Sequence, residues 1–311
     1  MKAKVSGTKK KINGTTFLLM ITILLFVVMY AAGMIVFNDK GFAKPQMFLN
    51  LFISNAGLLV IAMGETIVMI TAGIDISVGS VTALVCMVAA NQMENHGASA
   101  YTALLMALVI GLLFGLVQGF LVSYLEIQPF IVSLAGMFFG RGMTSIISTD
   151  MISIKNKTFL AWANYKIYLP IGSYSRRGKF IPAYIYPTVI NAILIFIVVL
   201  DGLLAGCGGF LFCLNSCSGF VEQAKGLEMD AISASVIGGT LLSGGVGTPF
   251  GTVFGVLIKG TISSLITTQG TLSSWWVRIA LSALLCFFIV LRALSCMTSV
   301  TCRCLFVFFL K

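Results

Sequence analysis

The chain has 311 residues, of which 58% are hydrophobic and 10% charged, with a mean hydropathy of +1.02. A soluble domain carries about 25% charged residues and a single soluble core rarely grows past about 250–300 residues, so this composition excludes an ordinary soluble fold. The formal charge of +10 does not point to nucleic acid, because it gathers at the N-terminus and in one long loop.

In chain order, the first feature is the basic cluster Lys2, Lys4, Lys9, Lys10 and Lys11, just before the first apolar run. An excess of Lys and Arg marks the cytoplasmic side of a membrane segment, so the N-terminus is expected in the cytoplasm. The run from Phe17 to Phe37 is too long for a signal-peptide core and lacks a small-x-small cleavage site, which favours an uncleaved anchor. A helix needs about 20 apolar residues to cross the hydrocarbon layer. Segments of that kind fall at 16–37, 47–71, 77–93, 100–124, 129–149, 183–200, 203–221, 230–246, 249–267 and 274–294. The expectation is therefore an all-α, polytopic integral membrane protein of about ten transmembrane helices, several short or broken by glycine. It divides into a basic N-terminus (1–15), a transmembrane domain (16–294) and a Cys-rich tail (295–311). The polar loop 150–182 holds Lys155, Lys157, Lys166, Arg176, Arg177 and Lys179 against one acid, Asp150. Counting crossings from a cytoplasmic N-terminus puts this loop outside, whereas its charge would put it inside; the crossing count is preferred.

The third apolar segment is preceded by TAGIDISVGS, Thr71 to Ser80. A carboxylate at membrane depth costs several kcal/mol unless paired or wet. Gly73 and Gly79 weaken the helix around Asp75 and Ser77, and unwound backbone at depth is tolerable only where it lines a cavity or is buried in protein. Asp75 also suits an N-cap for the helix that follows; the cap and the cavity are compatible. A second broken stretch, Glu228 to Gly251, carries Glu228 and Asp230 before the glycine pairs Gly238–Gly239 and Gly244–Gly245. Acids favour helix starts, so the arrangement reads as a repeat of the first. Glu65 and Arg141, also embedded in apolar runs, either serve function or pair with each other or with loop groups.

An internal echo accompanies these breaks. Gly111, Gly115 and Gly119 lie in one GxxFGxxxGxL pattern, and Gly247, Gly251 and Gly255 lie in another. Glycines four apart share a helix face and let a second helix approach closely. A pattern found in both halves of a polytopic chain also suits a transporter built from internal repeats.

Other chemistry is lacking. The eight cysteines include no CxxC, and the only histidine, His96, lies in a polar loop. Zinc needs about four convergent ligands, so no metal site is expected. There is no phosphate loop, GxSxG or HExxH motif, hence no catalytic residues and no ATP hydrolysis by this chain. Trp275 and Trp276 fit a membrane interface better than a stacking site.

GIDISVGSV at 73–81, LAGMFFGRGM at 134–143, DAISASVIGGTLLSGGVGTPFGTVFGV at 230–256 and GTLSSWWVRIA at 270–280 carry a family likeness. The chain resembles the sugar-importer permeases of the ribose/xylose/galactose class of ABC transporters, and within it the bacterial galactofuranose permeases, from about Lys11 to Leu291. The resemblance implies a multi-pass protein of the bacterial inner membrane and a pathway formed with a second permease subunit, identical or related. It also implies a cytoplasmic ATPase pair that binds ATP and magnesium, and a periplasmic or lipid-anchored sugar-binding protein. Nucleic acid is not an expected partner; membrane lipid is. Gly73, Asp75, Ser77, Gly79, Glu228, Asp230, Gly238, Gly239, Gly244 and Gly245 become the candidates for the substrate pathway.

One departure bears on function. The family carries an ATPase-docking segment between the sixth and seventh spans, but here INAILIFIVVL runs straight into DGLLAGCGGFLFCLNSCSGF. Asp201–Gly202 is then all that is left to turn the chain, and a tight hairpin there is favoured over one long bent helix. The tail after Ala293 matches no ending of the family. Alternatives to the importer subunit are an uncoupled or non-functional permease remnant and a stand-alone facilitator.

Overall fold

A computed structural model of the chain describes residues 14–174, 180–186, 201–273 and 275–297. Its helices, in order, are α1 (Gly14–Val36), α2 (Pro45–Ser54), α3 (Ala56–Ile70), α4 (Val78–Asn95), α5 (Ala100–Ser123) and α6 (Pro129–Ile147). They continue with α7 (Lys157–Asn164), α8 (Asp201–Ser216), α9 (Leu227–Ile237), α10 (Pro249–Gln269) and α11 (Trp275–Met297). The all-α expectation holds. The strands are short: β1 (Ile152–Ser153) pairs antiparallel with β4 (Ser218–Gly219), and β2 (Ile167–Tyr174) with β3 (Phe180–Ile185).

Among the described residues, four helices are long and apolar enough to cross a membrane: Thr16–Val36, Ala100–Ser123, Pro129–Ile147 and Pro249–Gln269. Helices α2 and α3, bent by 57° at Asn55, count as a fifth span if taken together. The expected count of ten is not reached on these criteria among the described residues. The shortfall has a physical basis. Segment 230–246 is helical only as far as Ile237, and segment 77–93 becomes the 18-residue α4, buried along most of its length. Such helices are shielded by protein rather than lipid and need not be uniformly apolar. The apolar stretch 187–200 lies outside the described residues, as do the basic N-terminal cluster and the tail from 298. Asp201 and Gly202, where a hairpin was expected, lie in the first turn of α8.

Local chemistry explains the helix ends. Pro45, Pro129 and Pro249 begin α2, α6 and α10, where a missing N–H costs nothing. Ser99, Asn156 and Thr248 cap α5, α7 and α10 with side-chain oxygens. Gly270, at φ 80°, closes α10.

The core is a buried stack of α3, α4, α8, α9 and α10. Val60, Val85, Cys86, Cys213 and Phe210 fill one cluster; Ile61, Met63, Val78, Ala231 and Val256 fill another. Small residues allow this closeness. A Cβ on Gly208 would meet Ile61 at 2.5 Å, and one on Gly209 would meet Thr82 Cα at 3.2 Å. Outward faces carry Leu24, Val27, Leu105, Leu112, Leu116, Phe138 and Phe139, all exposed. That is the composition lipid requires.

Loop contacts sort the connections into two ends. At one end, Lys40 Nζ bonds the Thr268 and Gln269 carbonyls, Gln46 exchanges two bonds with the Tyr184 backbone, and Glu94 accepts the amides of Lys155 and Asn156. The β1–β4 pair joins them through the 148–156 connection. At the other end, the Gly245 amide bonds the Ile70 carbonyl at 2.8 Å and Gly73 faces Pro129. The described parts of the basic loop, residues 150–174 and 180–182, thus share an end with residues 37–46.

Candidate functional site

The chain leaves helical geometry after Ile70 and regains it at Val78. Ala72 takes a left-handed φ of 64°, a conformation that costs a residue with a Cβ about 1 kcal/mol or more. Asp75 holds the return. Its Oδ1 accepts the Ser77 amide at 2.8 Å and the Ser77 hydroxyl at 2.6 Å. The Asp75 amide in turn donates to Oε1 of Glu65, a carboxylate only 1% exposed inside α3. Asp75 therefore forms a side-chain turn one step ahead of α4 rather than capping the helix directly; Ser77 is the cap residue. The unwound segment is bonded on both sides, as buried backbone must be.

This segment borders a cavity of about 420 Å³. Gly73, Asp75 and Ser77 line it, with Gly111, Gly115, Gly119 and Gln118 from α5 and Ser133 from α6. Gln118 donates to the Ser77 hydroxyl at 2.8 Å, and Ser133 donates to the Ile74 carbonyl at 3.1 Å. Thr71 adds a third hydroxyl, so among the described residues the lining offers a carboxylate, an amide and three hydroxyls and includes no cationic residue. Such a surface suits a solute rich in hydroxyl donors and disfavours one that presents a carboxylate.

The other candidates fall elsewhere. Gly79 faces away from the cavity, into α9: a Cβ there would collide with the Glu228 carboxylate. Glu228 Oε1 accepts the Gly226 amide at 3.3 Å, while its buried Oε2 has no hydrogen-bond partner among the described residues. Asp230 pairs with Lys259 of α10 at 2.8 Å. These acids stand at the start of α9, and Gly238 to Gly245 follow its far end. The second stretch therefore does not place acid and glycine together as the first does. Gly238 is a close-packing point, where an added Cβ would lie 2.5 Å from the Gly251 backbone. Gly239, at φ 105°, and Gly245, at φ 81°, have nothing within 4 Å of an added Cβ. Gly244, at φ 81°, packs on Ala72, so the two broken stretches touch each other through Ala72–Gly244 and Ile70–Gly245.

The two glycine echoes do different work. Gly251 and Gly255 face Gly238 and Ala234 of α9 so closely that any Cβ would strike a backbone oxygen, and Gly247 packs on Ile70 and Thr240. On α5, Gly111 meets Gly206 of α8, whereas Gly115 and Gly119 open onto the cavity, with nothing within 4 Å of Gly119.

Glu65 and Arg141 do not seek each other. Arg141 Nη1 donates to the carbonyls of Val221 and Gln223, at 3.0 and 2.9 Å. These belong to an irregular segment that runs back along α4 from Cys86 to Gly79 before α9 begins. Gln223, 2% exposed, bonds the Phe220 amide and the Ser216 hydroxyl. Gln118 and Gln223 were not among the residues the sequence singled out. The available signal was a lone amide in an apolar run, which Gln118 shows plainly between Val117 and Gly119. Trp275 and Trp276 are exposed at the start of α11, with Arg278 over the Trp275 ring at 5.1 Å. Among the described residues no group of three or more His, Cys, Asp or Glu side chains could hold a metal ion.

Broken spans, a small polar cavity between helices and a lipid-facing shell define a membrane transport subunit rather than an enzyme. Residues 47–174 and 188–290 match the family described as branched-chain amino acid transport system / permease component, and the chain belongs to that family. It is 36% identical over 303 residues to the inner membrane ABC transporter permease protein YjfF of Escherichia coli (strain K12), covering 88% of this chain and 91% of the relative. It is also 26% identical over 326 residues to the fructose import permease protein FruG of Bifidobacterium longum (strain NCC 2705), covering 93% and 95%. A third relative, the autoinducer 2 import system permease protein LsrC of Yersinia pseudotuberculosis serotype O:3 (strain YPIII), is 29% identical over 266 residues, covering 76% and 74%. No solved structure matches. The chain is a multi-pass permease subunit of the inner membrane, of the ABC type, and works in association with ATPase and substrate-binding partners.

Proposed function

We propose that the chain forms the translocation pathway of an ATP-driven importer for a neutral monosaccharide, galactofuranose-like in class, and that the Asp75–Ser77–Gln118 cavity is part of that pathway. The observation that carries this reading is the cavity lining. Asp75 is acceptor-only when ionised, and Ser77, Ser133 and Gln118 supply neutral donors and acceptors. A hydroxyl-rich solute satisfies both kinds of group, whereas an amino acid would bring its carboxylate to a surface without a cation. The sugar-import names among the relatives support the same choice over the amino-acid wording of the family. A cytoplasmic ATPase pair carrying ATP and magnesium, a sugar-binding protein and a second permease subunit complete the machine, with the N-terminus cytoplasmic. The test is uptake of labelled monosaccharides and of leucine into proteoliposomes holding the permease with its ATPase and binding protein. Sugar uptake that falls sharply in Gln118→Ala supports the proposal; leucine uptake alone would end it.

A second reading is favoured by one observation. The alignment to the Escherichia coli relative runs over 303 residues yet takes in 88% of this 311-residue chain, so a few tens of the relative's positions have no counterpart here. A permease lacking its ATPase-docking segment would insert and yet fail to couple. Grafting the relative's segment after Leu200 tests this: a gain of sugar-stimulated ATP hydrolysis identifies the natural chain as uncoupled.

A further inference from the structure

A second cavity, of about 440 Å³, lies between α2 and α10. Its lining differs from that of every lipid-facing surface described above. Asn50, Ser54 and Asn55 come from the α2–α3 bend, and Lys259, Ser263 and Thr267 from α10, with Ser264 and Thr268 beside them. Lys259, Ser263 and Thr267 recur every four residues and so share one helix face. This face belongs to a helix long and apolar enough to span the bilayer. Ten residues separate Lys259 from Gln269, so the ion pair lies about 15 Å along the helix from its end, close to half of a hydrocarbon layer about 30 Å thick. Polar groups so placed cannot face lipid without large cost. The cleft is therefore wet or filled by a polar solute.

Its charge selects the solute. Lys259 is the one charged residue among the described residues that line the cleft, and Asp230 neutralises it at 2.8 Å. What is left is two amides and five hydroxyls, a neutral donor–acceptor surface of a size within the usual range for small-molecule pockets, about 300–1,000 Å³. Close approach of the helices shapes its floor: a Cβ on Gly260 would lie 2.6 Å from the Asn55 amide nitrogen. The mouth lies beside Thr267 and Thr268, at the end where Lys40 bonds the carbonyls of Thr268 and Gln269. The Asp75 cavity sits by the opposite terminus of α3, next to Val68 and Thr71. Helix α3 is buried almost throughout and separates the two.

We propose that the α2–α10 cleft is a second binding station for a neutral polyhydroxy solute, distinct from the Asp75 cavity and reached from the opposite end of the molecule. The proposal rests on the monosaccharide reading for the nature of the solute. Asn50, Asn55, Ser263 and Thr267 are its contact residues, and the Asp230–Lys259 pair is the charge-balanced floor that keeps anions out. This assigns Asp230 a place in the pathway that its distance from Gly238–Gly245 would otherwise deny it.

The test is cysteine labelling in the assembled transporter, in nanodiscs, with native Cys286, Cys296, Cys302 and Cys304 replaced by serine. Ser263→Cys and Thr267→Cys report on the cleft, and Gln118→Cys on the Asp75 cavity. A membrane-impermeant maleimide is added with ribose, fructose or galactose, or with glucose 6-phosphate as an anionic control. The expected result is labelling at 263 and 267 that slows several-fold with one neutral sugar and not with the phosphate. Labelling that no sugar slows, or that anionic lipid slows instead, overturns the second station. No labelling at either cleft position in properly inserted protein overturns it as well, since the cleft is then sealed. Protection at Gln118→Cys alone leaves the monosaccharide reading standing without the second station; absence of sugar protection at all three positions defeats both. Thr268→Cys replaces either cleft variant that fails to insert.

Discussion

Asp75 shows how one side chain serves both local geometry and the cavity. Its two bonds to Ser77 hold the turn before α4, and each such bond contributes about 1 kcal/mol net. Asp75→Ala removes both; Asp75→Asn keeps the Oδ1 acceptor and removes the charge. The expected outcome is that Asn preserves insertion and thermal stability while lowering sugar uptake, and that Ala loses both. Equal uptake by Asn and the natural chain would reduce Asp75 to a turn residue. The glycines give a sharper contrast within one motif. A methyl group at Gly255 strikes the Ala234 carbonyl oxygen, whereas one at Gly119 meets nothing within 4 Å. Overpacking costs about 1–3 kcal/mol, so Gly255→Ala should lower the melting temperature in detergent. Gly119→Ala should leave it unchanged and narrow the cavity instead. The same four-residue spacing thus predicts two different defects, separable by melting and by uptake.

Among the elements, the segment 220–226 depends on a partner remote in sequence. It is irregular chain packed against α4, and Arg141 of α6 bonds two of its carbonyls. Removing the guanidinium leaves those oxygens short of a donor, at about 1–3 kcal/mol for each that stays buried. Arg141→Ala should therefore speed amide exchange across 220–226 and at the start of α9. Arg141→Lys should recover only part of the protection, because the shorter, strongly hydrated ammonium does not reach the position of Nη1. Helices α3, α9 and α10 are joined differently, by hydroxyls: Thr66 Oγ1 lies 3.0 Å from Ser235 Oγ and 2.6 Å from Thr252 Oγ1. Thr66→Val keeps the shape and removes the shared hydroxyl, and should loosen the α3–α9–α10 contact measurably in thermal unfolding.

For the whole molecule, the two ends decide how transport is organised. Residues 96–99 adjoin the end that carries the basic loop, and residues 124–128 adjoin the end of the Asp75 cavity. Impermeant labelling of Gly97→Cys from the periplasmic side, and of Glu126→Cys only after the membrane is opened, is the outcome expected for a cytoplasmic N-terminus. The reverse pattern would invert the transporter. At the same scale, the second reading carries its own outcome: an uncoupled chain would insert while showing little sugar-stimulated ATP use. Robust coupled uptake by the natural chain refutes that second reading and upholds the ATP-driven importer.

Composition alone decided that this chain lives in a membrane, because no soluble fold can cover so much apolar surface with so few charges. The sequence also located the unwinding at Thr71–Ser77, since an acid flanked by glycines between apolar runs cannot continue a lipid-facing helix without large cost. The family likeness was legible in GIDISVGSV and in the glycine-rich block after Asp230. What the sequence could not decide was which of its polar residues meet. Gln118 joins Ser77, Arg141 serves the 220–226 segment and Asp230 binds Lys259. Each pairing depends on how helices far apart in the chain are brought side by side. Helical periodicity specifies a face but not the neighbour it meets, and a GxxxG spacing is the same whether the glycines admit a helix or a solute. Only tertiary packing separates Gly255, closed against Ala234, from Gly119, open to the cavity, because that difference lies in the space around each residue.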